Sequence, residues 1–507
     1  MRYFIGIDIG TTHSKAIALQ SDGFIAATAS AGYEAITGPD GRHELDPLQI
    51  FDAVLAVLHQ VLSGTVKAGL NKDALAGIAF SSAMHSLIAV DDTGTPLTNC
   101  ITWADLRSQP QAARLKATPT AKEIYQHTGL PIHPMSPLCK LIWMQETNAA
   151  LHKQAAKFIG IKEYVLHRLT GRYLIDQSIA TATGLFDLHT RNWYAPSLQL
   201  AGIDQNRLSN PVSTTTIITG IAKEYADLTG LPADVNIVIG ASDGCLANVG
   251  SNALEPGDLS ITIGTSGAVR MITDRPVTDD EGRVFNYILD EQHYVCGGPL
   301  NNGGALVEWY AQQWLQRNTR NEEEMKWFID QAASVPAGAE GLLMLPYVRG
   351  ERAPVWDAAA KGAFIGMDHR HTQAHAMRAV LEGINYSVYD IALAVKQTVG
   401  YTKNIYVSGG FIKSPQWVQW LADLLGERLL VTVAADASAM GAAIMGWIAV
   451  GELSDLSAAR KFFQAAESYE PDARNHQLLQ QYYKVYTHLY KSLQNSFYSL
   501  NAITATH

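Results

Sequence analysis

The sequence has few cysteines and no recognisable export signal. Its cysteines are Cys100, Cys139, Cys245 and Cys296. None stands in a Cys-x-x-Cys pair, so neither a disulfide framework nor a zinc site is expected, and the pattern indicates reduced thiols in a cytoplasmic protein. The apolar start, Tyr3 to Ile9, is short and includes Asp8, which is not the pattern of a secretion signal.

Basic charge is also scarce. Lysine and arginine number 38 against 48 aspartates and glutamates, the formal net charge is −10, and no cluster of basic residues occurs. A nucleic-acid or anionic-membrane partner is therefore not expected. The longest stretch of small and apolar residues, Met440 to Val450, is too short to span a bilayer.

Two common nucleotide-binding motifs are missing. There is no Gly-x-x-x-x-Gly-Lys-Ser/Thr loop, which disfavours a P-loop mechanism. No Gly-x-Gly-x-x-Gly follows the first apolar run, which disfavours a dinucleotide site. At 507 residues the chain is nevertheless too long for one core, so two or three domains are expected.

The most informative feature present is a phrase that occurs twice, in both halves of the chain. It reads Ile-Asp-Ile-Gly-Thr-Thr from Ile7 and Ile-Thr-Ile-Gly-Thr-Ser from Ile261. Glycine at such a turn lets backbone N–H groups approach a bound group closely, and the hydroxyls add donors. The turn residues are Gly10, Thr11 and Thr12 in the first phrase and Gly264, Thr265 and Ser266 in the second. Two such turns suit the two sides of a polyphosphate, and only the first has a carboxylate, Asp8, that can help hold Mg²⁺ through water.

Strand patterns alternate with helix patterns, which predicts an α/β fold. The predicted strands are Tyr3–Ile9, Lys15–Gln20, Phe24–Ser30, Ala74–Ser81, Ser86–Val90, Val235–Gly240, Tyr294–Gly297 and Ile405–Ser408. Helices are predicted to begin at Pro47, Gly304 and Pro415. A further amphipathic helix over 475–500 carries Tyr482, Tyr486, Leu489, Leu493 and Phe497 on one side. That side either packs on the second domain or forms a dimer contact.

Asp243 is the strongest candidate for proton transfer. It lies in Gly-Ala-Ser-Asp-Gly at 240–244, directly after an apolar strand. Its carboxylate is expected at the carboxyl end of that strand, where ligands collect in α/β sheets. There it can accept a proton from a substrate hydroxyl that attacks phosphorus. The alternative is an ordinary turn-forming aspartate.

Other polar residues have weaker patterns. Gly409 and Gly410, followed by Ser414, form a glycine-rich turn after a strand that can accept an adenine or a phosphate, and Lys15 can reach phosphate or remain solvated. The residues suited to a polyol are Ser82, His85, Trp103, Asp105 and Arg107. From composition alone, a core indole and surface ion pairs are the better explanation of these residues. The histidines at 369, 371 and 375 resemble a metal cluster, but Thr372 fits a helix cap, which favours a solvated loop.

Taken together, these phrases and Gly350-Glu351-Arg352-Ala353-Pro354 resemble the FGGY carbohydrate kinases of the actin-like ATPase superfamily. The resemblance covers nearly the whole chain. It implies two ribonuclease-H-like α/β domains with a deep cleft between them, here 1–248 and 249–507. The first would mainly hold the sugar and the second mainly the nucleotide, with a helical tail.

The resemblance also implies roles for individual residues. Asp243 would be the general base. Met84, His85, Trp103 and Asp105 match the sugar contacts of the family. Thr11, Thr12, Thr265, Gly304, Gly410 and Ser414 fall where the family touches nucleotide.

Within the family the chain resembles the branch that acts on gluconate, in the phrases around Met84, Trp103, Ile132, Lys162 and Asn301. This implies transfer of phosphate from MgATP to the terminal hydroxyl of D-gluconate. The substrate carboxylate needs a cationic or hydrogen-bonding partner, for which Lys162, Lys140 and Arg107 are the candidates. The alternatives are another sugar kinase, such as a xylulose kinase, and a sugar-independent ATPase switch of the actin/Hsp70 type. A homodimer is compatible with the sequence.

Overall fold

A computed structural model describes residues 1–433, 436–464 and 467–504. The chain divides into two compact units, each built from separated segments. The first unit contains residues 1–256, 272–295 and 434–464. The second contains residues 257–271, 296–433 and 465–507. The predicted functional division at 248/249 stays a prediction.

The chain up to residue 256 alternates strands and helices. Its strands are β1 (Tyr3–Ile9), β2 (His13–Gln20), β3 (Ile25–Gly32), β4 (Ile36–Thr37), β5 (His43–Leu45), β6 (Leu75–Ser82), β7 (Ile88–Val90), β8 (Cys100–Ile101), β9 (Lys157–Ile159), β10 (Leu174–Asp176), β11 (Asn210–Val212), β12 (Ile217–Thr219) and β13 (Asn236–Ser242). Its helices are α1 (Pro47–Lys67), α2 (Gln109–Lys116), α3 (Thr120–Thr128), α4 (Pro137–Thr147), α5 (Ala149–Gln154), α6 (Ile161–Thr170), α7 (Gln177–Thr181), α8 (Ala195–Leu200), α9 (Lys223–Thr229) and α10 (Asp243–Gly250).

The rest of the chain continues the alternation with longer helices. Its strands are β14 (Leu259–Ile263), β15 (Gly267–Thr273), β16 (Phe285–Ile288), β17 (Tyr294–Leu300), β18 (Leu343–Leu345), β19 (Ala363–Ile365), β20 (Ile405–Ser408), β21 (Leu429–Val431) and β22 (Glu467–Tyr469). Its helices are α11 (Gly304–Leu315), α12 (Glu322–Ala333), α13 (Gln373–Val399), α14 (Pro415–Leu425), α15 (Ala437–Ala449) and α16 (Ala473–Thr504).

The main sheet of the first unit has the order β12-β13-β6-β1-β2-β3. The central strand β1 pairs antiparallel with β2 and parallel with β6, and β6 pairs parallel with β13. The carboxyl ends of β1, β6 and β13 therefore meet at one edge of the sheet. Asp8, Ser82 and Asp243 lie at or just beyond these strand ends.

The sheet of the second unit repeats this plan. Its strands follow the order β17-β15-β14-β20-β21-β22. The central strand β14 pairs antiparallel with β15 and parallel with β20, as β1 does with β2 and β6. The two repeated phrases thus form equivalent hairpins, and the predicted α/β class with two similar cores is confirmed.

Helix α1 shows how local signals and core packing agree. Pro47 begins the helix, and the side chain of Asp46 caps it by accepting the Leu48 N–H. The apolar side, including Ile50 and Val54, is buried in the core of the first unit. Among the described residues this is the helix with the length and composition to cross a membrane. Its place in the core accounts for that composition.

The carboxy-terminal helix α16 packs within the second unit, as one of the two sequence interpretations expected. Tyr483 donates a hydrogen bond to Asp390 over 2.7 Å, and the hydroxyls of Tyr486 and Tyr347 are 3.2 Å apart. Of the predicted stripe, Tyr486 and Phe497 are buried and Tyr482, Leu489 and Leu493 are partly buried, while Tyr483, which was not predicted, is buried as well.

Candidate active site

The first glycine turn joins β1 and β2. The Gly10 N–H donates to His13 O over 3.0 Å, and the Tyr33 hydroxyl donates to Gly10 O. These bonds hold the loop open at its tip, where Thr12 is exposed and Thr11 partly so. Backbone N–H groups and hydroxyls are therefore presented to solvent at the end of β1, as the sequence predicts for a phosphate turn.

Asp243 is the first residue of α10 and follows β13 directly. Ser242 caps this helix by accepting the Cys245 N–H over 3.4 Å, and the Gly244 N–H donates to Asp243 Oδ1 over 2.7 Å. The side chain is partly exposed. The carboxylate therefore stands at the N-terminal end of α10, where the first N–H groups of the helix lie.

A bulge in β13 precedes Asp243. The pairing with β6 shifts register between Val238 and Ala241. Gly240 occupies the bulge with φ +69°, and a Cβ atom there would lie 1.8 Å from Phe80 O. Such bulges commonly re-aim side chains beside functional sites, and here the bulge sets the direction in which the strand delivers Asp243.

A third carboxylate, Asp436, joins Asp8 and Asp243. Asp436 caps α15 by accepting the Ala439 N–H, and its Oδ2 lies 3.0 Å from Lys15 Nζ. Asp8 Oδ1 accepts the Ser81 hydroxyl over 2.7 Å. The pKa of Asp8 is raised to about 8, first because it is withdrawn from solvent and then because Asp436 and Asp243 repel its charge.

This carboxylate group fits a divalent cation. Its excess negative charge is offset only in part by Lys15, and carboxylate oxygens are preferred ligands of Mg²⁺. Within 1–433, 436–464 and 467–504, no three His, Cys, Asp or Glu side chains are arranged to ligate a metal directly. The arrangement therefore suits an ion held through water and through a ligand's own oxygens.

Several predicted sugar contacts line one small recess beside the first turn. Its lining includes Thr11, Met84, Thr102 and Trp103. The recess measures about 10 Å³, so it admits about one water molecule and not a six-carbon acid. The structure thus brings the first glycine turn next to Met84 and Trp103.

Two predicted contacts, Asp105 and Arg107, are bound to each other and to neighbouring residues. Asp105 is 1% exposed and accepts the His43 N–H and the Arg107 guanidinium. Arg107 also reaches Glu44 over 2.5 Å and stacks on Trp143. Asp105 is consequently an internal acceptor that fixes the turn after Trp103, and the guanidinium is the more accessible partner.

Ser82 and His85 are likewise internal. Ser82 is 1% exposed and donates to Ala83 O. His85 is 6% exposed, has φ +66° and its Nδ1 lies 2.6 Å from Ala182 O. Both residues shape the loop that presents Met84.

The two lysines expected to meet a substrate carboxylate are both committed to the protein. Lys162 is 2% exposed, with Nζ 2.6 Å from Asp176 Oδ2 and 2.9 Å from Ala241 O. Lys140 is fully buried and donates to His85 O over 2.5 Å. A ligand carboxylate would have to break these contacts, so the structure gives both lysines an internal role.

The second glycine turn, in the second unit, is held against the start of α11. The Gly304 N–H donates to Gly264 O over 2.6 Å, and the Ala305 N–H donates to Thr265 O over 3.0 Å. Gly409, with φ +99°, lies on Ile263, where a Cβ atom would be 2.5 Å from Ile263 O. Only glycine allows this close approach, which joins the two predicted nucleotide turns.

A cavity of about 1020 Å³ opens beside this turn. The predicted nucleotide residues on its wall are Gly264, Thr265, Gly304, Gly410 and Ser414. Residues that the sequence did not point to include Thr319, Arg320, Met325, Phe411 and Trp417. Thr319 and Arg320 lie in the loop between α11 and α12, and Met325 lies on α12. Phe411 lies on the turn before α14 and Trp417 on α14, and no short motif would have revealed these residues as a group. The mix of apolar walls and polar groups is typical of small-molecule sites.

The histidine segment before α13 is a helix start, as the Thr372 interpretation predicted. Thr372 N–H and hydroxyl contact His375 Nδ1, which closes a capping box. The ring of His371 is more enclosed than a solvated loop implies, with a side chain 3% exposed.

Comparison with known proteins identifies the family. The chain matches the FGGY family of carbohydrate kinases with its N-terminal domain over residues 3–250 and its C-terminal domain over residues 259–450. The chain belongs to this family. As an FGGY carbohydrate kinase it is an enzyme that transfers phosphate from ATP to an alcohol group of a small sugar-like substrate.

Relatives that match over nearly the full length of the chain include gluconate kinases and a xylulose kinase. The gluconokinase of Bacillus subtilis (strain 168) is 37% identical over 501 residues, covering 98% of this chain and 97% of the relative. A crystal structure of gluconate kinase from Lactobacillus acidophilus matches with a TM-score of 0.92 at 36% identity, covering 98% and 99% of the two chains. A ligand-bound xylulose kinase from the same organism matches with a TM-score of 0.92 at 35% identity, covering 99% and 100%.

Proposed function

We propose that this FGGY kinase phosphorylates D-gluconate on its terminal hydroxyl with ATP, giving 6-phospho-D-gluconate. Asp243 carries the proposal for the chemistry, because it follows the end of β13, lies near the carboxylate of Asp8 and is partly exposed. The full-length similarity to gluconokinase carries the choice of acceptor.

Asp243 acts as the general base in this proposal. Its carboxylate aligns the terminal hydroxyl and accepts its proton while the oxygen attacks the γ-phosphorus. Phosphoryl transfer has a loose transition state, so positioning and charge neutralisation supply most of the catalysis. Met84 and Trp103 provide the apolar wall against which the carbon chain lies.

Each glycine turn can bind phosphate oxygens through its N–H groups and hydroxyls, and the cavity beside α12 accepts the nucleoside. Asp8, supported by Ser81, would hold Mg²⁺ through water. When bound, the ion neutralises charge on the phosphate oxygens. Lys15 balances Asp436 and so keeps this carboxylate group from repelling the triphosphate.

Arg107 is our candidate for the substrate carboxylate. Of the three predicted cations it alone keeps appreciable exposure, 14% of its side chain. We expect R107Q to lower kcat/KM for gluconate more than for an uncharged polyol. Equal losses for both acceptors would remove Arg107 from this role.

An assay of ADP release across gluconate, xylulose, ribulose and glycerol tests the function. We expect gluconate to give the highest kcat/KM and a product phosphorylated on the terminal carbon. Preference for xylulose, which the similar xylulose kinase structure makes the second candidate, would contradict the proposed acceptor. ADP release that needs no sugar would instead indicate an ATPase switch.

The same proposal includes a cellular location and an oligomeric state. A MgATP-dependent kinase with reduced, buried cysteines is expected in the cytoplasm, without nucleic-acid or membrane partners. A homodimer would form through the side of α16 that exposes Val485, Leu500 and Ile503. Sedimentation velocity of wild type and V485E tests this, since a dimer that persists in V485E would exclude that face.

A further inference from the structure

We infer that Lys162 and Asp176 form a buried ion pair whose function is to hold the backbone that presents Asp243. The inference rests on the proposed role of Asp243 and assigns positioning residues to the same reaction. It replaces the expectation that Lys162 meets a substrate carboxylate.

The pair is built into the interior of the first unit. Lys162, near the start of α6, is 2% exposed, and Asp176, at the end of β10, is 0% exposed. Their charged atoms lie 2.6 Å apart. Asp176 Oδ1 also accepts the Ile179 N–H over 2.9 Å and so caps α7. The ion pair therefore joins the start of α6 to the end of β10 and to the start of α7.

The second contact of Lys162 is a hydrogen bond to β13, the strand that precedes Asp243. Its Nζ donates to Ala241 O over 2.9 Å. Directly after the bulge at Gly240, Ala241 resumes the pairing with β6 opposite Ser81, and an ammonium is a strong donor to its carbonyl. Lys162 therefore anchors the strand two residues before Asp243.

Helix α7, capped by Asp176, holds the next residue. Ser178 Oγ donates to Ser242 Oγ over 3.0 Å and accepts the Ser242 N–H over 3.2 Å. Ser178 and Ser242 are both fully buried. The two residues before Asp243 are therefore both held by this ion pair. Ala241 is bonded to Lys162 directly, and Ser242 is bonded to helix α7, which Asp176 caps.

This anchoring matters because Asp243 itself is partly exposed. The Gly244 N–H donates to Asp243 Oδ1 over 2.7 Å, and the Ser438 hydroxyl donates to Asp243 O over 3.3 Å. A shift of the backbone at 241–243 would therefore move this carboxylate. A displacement of about 1 Å in a reacting group can cost about 10²-fold in rate.

The pair can be tested without leaving a lone buried charge. In K162M/D176N both charges are removed together, while asparagine keeps the cap on α7. We expect kcat to fall about 10²-fold, with KM for ATP and for the sugar within about twofold of wild type. The melting temperature should stay within a few degrees, and K162R should recover part of the lost kcat.

The matched control is the buried pair Arg378–Glu382 in the second unit. Both side chains are 4% exposed, the charged atoms lie 2.6 Å apart, and Glu382 also accepts a backbone N–H. R378M/E382Q should keep kcat within about twofold of wild type. If both double variants lower kcat equally, the loss reflects general destabilisation and our inference is wrong.

The decisive result is the kcat of K162M/D176N. A value within twofold of wild type overturns the inference, whichever panel sugar the wild type prefers. If the double variant does not fold, the kcat of D176N alone tests the inference. This variant weakens the ion pair with Lys162 but keeps the side-chain cap on α7. We expect at least a tenfold lower kcat for D176N, and an unchanged kcat overturns the inference. Wild-type protein without gluconate kinase activity would instead refute the proposed acceptor.

Discussion

At the scale of single residues, Asp243 is the side chain on which turnover should depend most. D243N keeps the shape of the side chain and removes the proton acceptor. We expect kcat to fall by about 10²- to 10⁴-fold, with the Kd for ADP close to that of wild type. A coupled assay and calorimetric titration measure the two quantities. The exposed Asp227 offers the control variant D227N, which should be active. D243N turnover within tenfold of wild type would contradict the assignment.

Lys140 makes a pH-dependent contribution to stability. Burial lowers its pKa to about 7, although Asp105 acts in the opposite direction. Between about pH 7 and 10.5 the unfolded chain holds this proton and the folded chain does not, so stability rises with pH in this range. Below about pH 7 both states are protonated, and the cost of the buried charge is present in full.

We therefore expect the free energy of unfolding of wild type to gain on that of K140M as pH rises above 7. The gain is at most about 1.4 kcal/mol per pH unit. Urea unfolding of both proteins between pH 6 and 9 measures it. The exposed Lys223 gives a control, since K223M should track wild type at each pH. A difference between wild type and K140M that does not change with pH would show that Lys140 is charged throughout.

At the scale of secondary structure, the bulge of β13 is the element that directs Asp243, the proposed base. Gly240 combines φ +69° with a close approach to Phe80 O. G240A should therefore lower the free energy of unfolding by about 2–4 kcal/mol, the sum of left-handed backbone strain and overpacking. It should also lower kcat, because the strand would straighten and turn Asp243 away.

Gly171 provides a matched control for this prediction. Its φ is +72°, and a Cβ atom there would have nothing within 4 Å. G171A isolates the backbone strain, for which about 1 kcal/mol is expected, with kcat unchanged. Urea unfolding and kcat of both variants make the comparison. Equal destabilisation by G240A and G171A would argue against a steric role of the bulge.

Local signals predicted most elements well where propensity and packing agree. Strand β1 was predicted with its observed bounds, and α1 begins at the predicted Pro47 but continues to Lys67. On α16 the predicted Tyr486 and Phe497 are buried, and Tyr483 is buried where Tyr482 was predicted. Apolar spacing defines such a stripe only approximately, and the hydrogen bond from Tyr483 to Asp390 is a long-range contact that spacing does not reveal.

At the scale of the whole molecule, the two substrates should protect different units. We expect ADP alone to slow amide hydrogen exchange in 263–266, 319–330 and 409–414 of the second unit. Gluconate alone should slow exchange in 82–86 and 101–107 of the first unit. Exchange followed by mass spectrometry at peptide resolution measures both effects. Gluconate protection confined to the second unit would refute the proposed division of roles.

The sequence by itself determined the α/β class, the two equivalent hairpins and the position of Asp8 and Asp243 at strand ends. These follow from local chemistry, since glycine turns, strand patterns and a lone aspartate after a strand are legible over a few residues. Only the tertiary structure decided that Asp436 joins the carboxylate group and that Lys162 pairs with Asp176. Only it showed that Asp105 is internal and which residues of α12 line the large cavity. Such pairings depend on which strand ends and helix starts meet in space, and neither spacing nor propensity encodes those long-range contacts.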